Sequence, residues 1–368
     1  MNIVLTCAMG LESILKFELY DLGYKTLAIT NGAIAFEGTP ADVIQCNMWC
    51  RTAGRVFIEL PAFHAVSFDE LFDQITTYDW RQWLTKDTKF TIDSVTSNQS
   101  ELFSKSDIQS IAKKAIVRSL QAHYNVKTLP ETGFHVPIRI QINQNQVSLR
   151  LDTTGHGLNK RGYRSRFDAP LRETLAAAMI KLSRWDAEND VLLDPFCGSG
   201  TILIEAAMIA NRIAPGINQT FCSESWPMFT PMAWRTARDN AIAKQRHLPF
   251  RIYGSDINGD ILKTARYNLR AANIKNIYVE TKPFNQIQSR FDKGKIICNP
   301  PYGIRLDDQG DTHKLYVQMG QHLKKYFKDW DYYILTADED FEDYFNQKAT
   351  KKRKLFNGKI RCDLYQYF

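Results

Sequence analysis

A chain of 368 residues exceeds what one ordinary core holds and suffices for two or three domains, each with its own apolar interior. Its 44% hydrophobic and 24% charged residues belong to a folded globular protein and exclude a disordered or fibrous chain. The net charge of +7 is concentrated, because between Glu101 and Arg172 twelve Lys or Arg face five acids, a difference equal to the whole surplus. Such a block predicts a polyanionic partner.

The opening Met1-Asn2-Ile3-Val4-Leu5-Thr6-Cys7 has no basic leader region and no apolar run is long enough to cross a bilayer, so the expected location is the cytoplasm, with no membrane partner. Leu11, Ile14, Leu15, Leu19 and Leu22, stopped by Gly23, predict an amphipathic helix over 11–22. With strand-like runs 3–5 and 33–36 it makes a small α+β unit of about the first sixty residues. Cys46 and Cys50 share a helical face, but no second Cys or His pair completes a zinc set, and the seven cysteines form no disulfide framework. We expect no metal.

A second unit follows, with strand 56–58, helix 68–76, strand 89–95, a helix from Ser106, and an antiparallel pair over 138–142 and 146–151 whose apolar residues alternate with polar ones. In that second helix the stripe Ile108, Ile111, Ala112, Ala115, Ile116 and Leu120 faces a core, while Lys105, Lys113, Lys114 and Arg118 lie away from it. Those four are candidate contacts to a polyanion, although a solvated helix face has the same look.

After a helix over 171–183, short apolar runs alternate with helical patterns (strands near 191–193, 251–256, 276–279, 295–298 and 332–336), which predicts an α/β, mostly parallel, doubly wound sheet of Rossmann-like type. Residues 211–249 form a long insertion, expected to be helical over 233–245.

Three motifs sit at strand ends in this last unit. Asp194-Pro195-Phe196-Cys197-Gly198-Ser199-Gly200-Thr201 runs from a buried strand through a Gly-rich turn into a helix, whose unpaired N–H groups and dipole favour a ligand with acceptor groups. Leu203 replaces the third glycine of a dinucleotide fingerprint and no Gly-Lys-Ser/Thr is present, which weakens dinucleotide and triphosphate readings. Asp256, followed by Ile257, ends the next strand, where a carboxylate can hold the ribose hydroxyls of an adenosine or merely cap a helix.

In Asn299-Pro300-Pro301-Tyr302 the prolines remove two N–H donors, leaving an acceptor-rich loop. The Asn299 side-chain oxygen and the Pro300 carbonyl can each accept a hydrogen from one amino group, and Tyr302 can stack on a flat ring. A rigid strand-to-helix turn is the plainer alternative.

In this order the three motifs resemble the cofactor turn, ribose acid and catalytic loop of amino-methyltransferases acting on nucleic acid. Residues 151–164 and 169–176 are similar to the junction between a THUMP domain and its methyltransferase domain. Thr6-Cys7-Ala8-Met9-Gly10-Leu11-Glu12 resembles the ferredoxin-like domain of the bacterial large-subunit ribosomal RNA guanine-N2 methyltransferases, a family also labelled as N6-adenine-specific DNA methylases. Phe356-Asn357-Gly358-Lys359-Ile360 resembles their closing hairpin.

The resemblance implies three domains, 1–60 ferredoxin-like, 61–164 THUMP and 165–368 methyltransferase. It implies S-adenosylmethionine as cofactor, held by Asp194, Phe196 to Thr201, Asp256, Ile257 and Thr174, and RNA as partner, met by the basic helix together with Lys160, Arg161, Tyr163 and Arg164. Where relatives place an acid near the adenine this chain has Pro283, so Asn285 is the expected substitute. The tetrapeptide serves adenine as well as guanine. A DNA adenine-N6 methyltransferase therefore stays open, though no base-reading DNA module is evident, as does a non-catalytic RNA-binding protein.

Overall fold

The computed structural model describes residues 1–164, 171–247, 249–303 and 309–368. Arg166 and Asp168 of the basic block, and Ala169 and Pro170 of the junction segment, lie outside the described residues.

The stripe read over 11–22 folds as α1 (Glu12–Asp21), between β1 (Asn2–Cys7) and the pair β2 (Ala28–Thr30) and β3 (Ala33–Glu37). Pro40 in the first turn and the Asp42 carboxylate, which accepts the Thr39 N–H at 2.7 Å, start α2 (Pro40–Trp49). Then come β4 (Ala53–Glu59), β5 (Phe63–His64), α3 (Phe68–Thr77), β6 (Lys89–Asn98), α4 (Lys105–Tyr124), β7 (His135–Asn143) and β8 (Gln146–Asp152). These strands form one sheet in the order β2-β3-β1-β4-β8-β7-β6, with β5 on β8. The strand read as opening the second unit, β4, lies between β1 and β8, so both units share a single sheet.

The remaining chain runs α5 (Glu173–Ser183), β9 (Val191–Asp194), α6 (Thr201–Ala210), α7 (Pro231–Ala243), β10 (Arg251–Asp256), α8 (Gly259–Ala271), β11 (Tyr278–Thr281), β12 (Lys295–Cys298), α9 (Gln309–Tyr326), β13 (Asp331–Thr336), α10 (Phe341–Phe345), β14 (Lys351–Asn357) and β15 (Ile360–Tyr367). The second sheet has the order β11-β10-β9-β12-β13-β15-β14, parallel except for the terminal hairpin. Chain order reverses at β9, so the crevice between β9 and β12 is the point where an open parallel sheet receives a ligand.

The insertion 211–249 is helical over Pro231–Ala243, close to its expected place, but its packing was not foreseen. Phe221, Trp226, Phe229 and Trp234 are at most 2% exposed and join the core of the first sheet, not that of the second. Trp234 stacks on Phe221 with ring centres 5.0 Å apart, and the Trp226 indole donates to the His135 carbonyl at 2.9 Å. In the reverse direction Leu11 and Ile14, from the start of the chain, complete the core around α5 and α6.

One buried charge cluster fastens the two halves. Glu205, on α6 and 0% exposed, accepts from Arg161 Nε at 3.3 Å and from the Tyr163 hydroxyl at 3.2 Å, and pairs with Arg51 at 3.9 Å. Arg161 also donates to the Arg51 carbonyl at 2.5 Å, and Arg51 donates to the Ile213 carbonyl. Burial pushes the Arg51 guanidinium down to about 10, which still leaves it charged at neutral pH. Removing the shared acid strands two buried cations. Glu205→Ala should therefore lower stability by about 3–5 kcal/mol, read as an earlier urea midpoint.

Candidate active site

The three motifs converge. A cavity of about 700 Å³ is lined by Phe196 and Gly198 of the turn, Asp256 and Ile257 after β10, Pro283, Phe284 and Asn285 after β11, and Asn299 to Tyr302 after β12. All four segments leave the carboxyl ends of parallel strands, which is why residues a hundred positions apart meet.

The turn folds as its glycines require. Gly198 and Gly200 have φ of +49° and +83°, and a Cβ on Gly198 would meet nothing within 4 Å, so a ligand can approach that backbone closely. Behind it β10 passes so near that a Cβ on Gly254 would strike Leu203 and Cys197. The Asp256 carboxylate accepts the Gly198 N–H at 3.0 Å and the Asn258 N–H at 2.9 Å, which holds both oxygens at the cavity wall with a lone pair each to spare. Ile257 is 75% exposed at the rim, and an apolar side chain so placed suits the face of a purine.

Not every expected cofactor residue lines this cavity. Asp194 is 1% exposed behind the turn, its carboxylate accepting the Phe196 N–H at 3.1 Å. Burial pushes the Asp194 carboxyl well above the usual range, and the nearby Asp256 adds to the shift. Cys197, Gly200 and Thr201 are likewise buried, and Ser199 is half-buried; they shape the turn and the start of α6. Thr174 needs correction, since on α5 it lines a separate cavity with Cys7 and Arg172.

The sequence reading missed Phe284. It is buried, stacks on Phe196 at 5.3 Å and is backed edge-on by His322 at 5.0 Å. Its signal in the sequence is an aromatic directly after Pro283, where the third strand of the second sheet has ended. Leu315 and Gln318, three apart on one face of α9, complete the lining. Asn285 is exposed in the same wall.

Within the Asn-Pro-Pro-Tyr loop the Tyr302 hydroxyl donates to the Asn299 side-chain oxygen, and the Tyr316 hydroxyl donates to the Pro301 carbonyl at 2.7 Å. A carbonyl oxygen carries two lone pairs, so Asn299 keeps one for an amino group. Burial pushes the Tyr302 phenol up, with Cys362 adding to it, so the hydroxyl stays protonated.

The basic residues separate into two kinds. Lys105, Lys114 and Arg118 are exposed along α4, and Lys160 is exposed. Lys113 is occupied, donating to the Phe90 carbonyl and the Glu131 carboxylate at 2.7 Å each. Arg161 and Tyr163, expected to touch RNA, are 2% and 3% exposed and bind Glu205, so burial removes them from any strand. Arg164 pairs with Glu173 at 3.2 Å and donates to Thr201 at 3.1 Å, so it braces α6. Among the described residues no group of three or more His, Cys, Asp or Glu is placed to hold a metal ion, and no helix is long and apolar enough to cross a membrane.

A doubly wound sheet with a glycine turn, a carboxylate and an Asn-Pro-Pro-Tyr loop around one cavity defines a methyltransferase whose cofactor is S-adenosylmethionine. Residues 161–366 match the family described as RMKL-like, methyltransferase domain, residues 2–57 the RlmL ferredoxin-like domain, and residues 65–152 the THUMP domain. The chain belongs to this family of THUMP-containing methyltransferases.

A Bacillus subtilis (strain 168) relative named "Putative RNA methyltransferase YpsC" is 38% identical over 100% of this chain and 96% of its own length. The "Ribosomal RNA large subunit methyltransferase K/L" of Desulfotalea psychrophila is 31% identical over 97% of this chain, which spans only 51% of that protein. A crystal structure titled "SMU.472, a putative methyltransferase complexed with SAH" superposes with a TM-score of 0.94 at 37% identity, covering 100% of this chain and 97% of that one.

The pH dependence of stability tests the environment of Asp194. Its folded-state pKa is raised above the ordinary 3.8, so the folded protein holds a proton the unfolded chain releases, and stability falls as pH rises above about 4. Asn carries no such proton. The Tm of Asp194→Asn minus that of the wild type should grow between pH 4 and pH 8.

Proposed function

We propose that the chain transfers a methyl group from S-adenosylmethionine to the N2 amino group of a guanine in large-subunit ribosomal RNA, in the cytoplasm. The observation that carries this reading is the position of Asn299 and Pro300 in the same cavity wall as Gly198, Asp256 and Phe284. When bound, the cofactor supplies an electrophilic methyl group. The residues present fit it: Gly198 is open to close approach, the Asp256 carboxylate would hold the ribose hydroxyls, and Ile257 and Phe284 would offer apolar surface to a purine.

The chain's own task is then to present a nitrogen lone pair. Asn299 Oδ1 and the Pro300 carbonyl accept the two amino hydrogens, which draws the lone pair out of conjugation with the ring. Tyr302 holds Asn299 in that orientation through its hydroxyl. Positioning supplies most of the acceleration. Labour divides among residues 1–60, 61–164 and 165–368, the first two presenting RNA and the last carrying out the transfer. RNA is favoured over DNA by the name of the ribosomal RNA relatives and by the THUMP match, and guanine over adenine by the resemblance of the sequence to the guanine-N2 methyltransferases.

Asn299→Ala should reduce methyl transfer to undermethylated ribosomal RNA by about 100-fold or more while RNA and cofactor affinities stay near wild type. Equal loss of affinity would contradict the assigned role. Hydrolysis of the labelled product to nucleosides decides the base, with N2-methylguanosine expected and N6-methyladenosine fatal to the guanine reading. Replacing Lys105, Lys114 and Arg118 together with Gln should flatten the log–log salt dependence of RNA binding by about 2, at roughly 0.7 per lost phosphate contact. Lys113→Gln, whose ammonium is already engaged, should leave that slope unchanged.

A further inference from the structure

A second cavity, of about 610 Å³, lies where the two halves meet. It gathers three segments that the catalytic chemistry leaves unused: Thr6 to Met9 at the end of β1, His156 to Lys160 after β8, and Phe356 with Gly358 at the β14–β15 turn. They are more than three hundred positions apart at the extremes, and their convergence on one hollow points to a shared ligand.

The wall is cationic. Arg55, Arg139, Lys160 and Arg172 line it together with His156, and no acid is among the described lining residues. Behind the wall Asp152, 1% exposed, pairs with Arg55 at 2.5 Å and Arg139 at 3.4 Å, and Asp93 also acts on Arg139. Asp152 neutralises about one of the two charges and fixes both guanidinium groups in place. Arg139 Nε meets no acceptor among the described residues. Four fixed or exposed cations in a hollow whose described lining holds no acid make a site for an anion with several acceptor oxygens.

The cavity also adjoins the catalytic loop. Asn357 and Cys362 of the hairpin stand against the Tyr302 hydroxyl, and Gly358, the neighbour of Asn357, lines the cationic hollow. Arg172 opens α5, next to Glu173, the partner of the Arg164 that braces α6.

We propose that this cavity seats phosphodiester groups of the RNA strand beside the target nucleotide, so that the substrate is gripped at the domain junction as well as on α4. The inference rests on the RNA reading above. It adds a site at the seam, built from Arg55, Arg139, Lys160 and Arg172, none of which lies on the basic helix.

The test uses the full chain with both Lys160 and Arg172 replaced by Gln, since both side chains are exposed and their loss leaves the core intact. The control is Arg184→Gln with Lys351→Gln, an equal change of charge at a separate cavity, just after α5 and at the start of β14. Binding of a labelled single-stranded RNA oligonucleotide is followed against salt concentration, and cofactor affinity is measured by calorimetry in all three proteins. The expected result is a slope flattened by about 1.4 and affinity lowered about tenfold in the cavity variant only, with cofactor affinity unchanged. A cavity variant that matches wild type in slope and affinity overturns the proposal and leaves the methyltransferase reading standing. An equal loss in the control overturns it too, because net charge alone would then explain the effect. Wild-type protein that binds and methylates no RNA removes both.

Discussion

The structure depends on a carboxylate taken out of water. Glu205 sits in the second turn of the helix that starts at the cofactor loop, and it is shared by an arginine at the end of α2 and another in the segment joining the halves. An ion buried at this depth is tolerated only if its partners are in place, because desolvation costs more than a loose pair returns. The requirement runs in both directions. The helix that follows the glycine turn has its buried acid met by Arg51 of the first half, and Arg161 and Tyr163 are held down onto the interface by the same carboxylate.

The same logic explains where the chemistry lies. Chain order in the second sheet reverses at β9, so the loops after β9 and β12 lie on either side of one crevice. The glycine turn and the acceptor-rich tetrapeptide are adjacent in space although a hundred residues separate them. The aromatic pair Phe196 and Phe284 closes the floor between them.

Much of this was legible in the sequence because its signals are local. The 3.6-residue stripe over 11–22, the alternation in β7 and β8, and the strand-turn-helix pattern at Asp194 to Thr201 each encode their own conformation, and the structure follows them to within a few residues. What could not be read was which faces meet. Arg161, Tyr163 and Arg164 look like RNA contacts because charge and aromaticity are properties of a residue, whereas burial against Glu205 is a property of a fold. Lys113 differs from Lys105 and Lys114 for the same reason, since its partner Glu131 lies beyond the end of the helix that displays it. Thr174 is set on a helix whose direction decides which of two cavities it lines, and periodicity does not supply that direction.

The aromatic insertion between α6 and β10 has a consequence for synthesis. The first sheet is complete once β8 has been made, yet Phe221, Trp226, Phe229 and Trp234, which fill part of its interior, are encoded some seventy residues later. A nascent chain therefore carries a finished sheet with an unfinished core, exposing apolar surface that no neighbouring segment can yet cover. The first half reaches its final packing only after part of the second has emerged. This couples the folding of the two halves in time, much as Glu205 couples them in space.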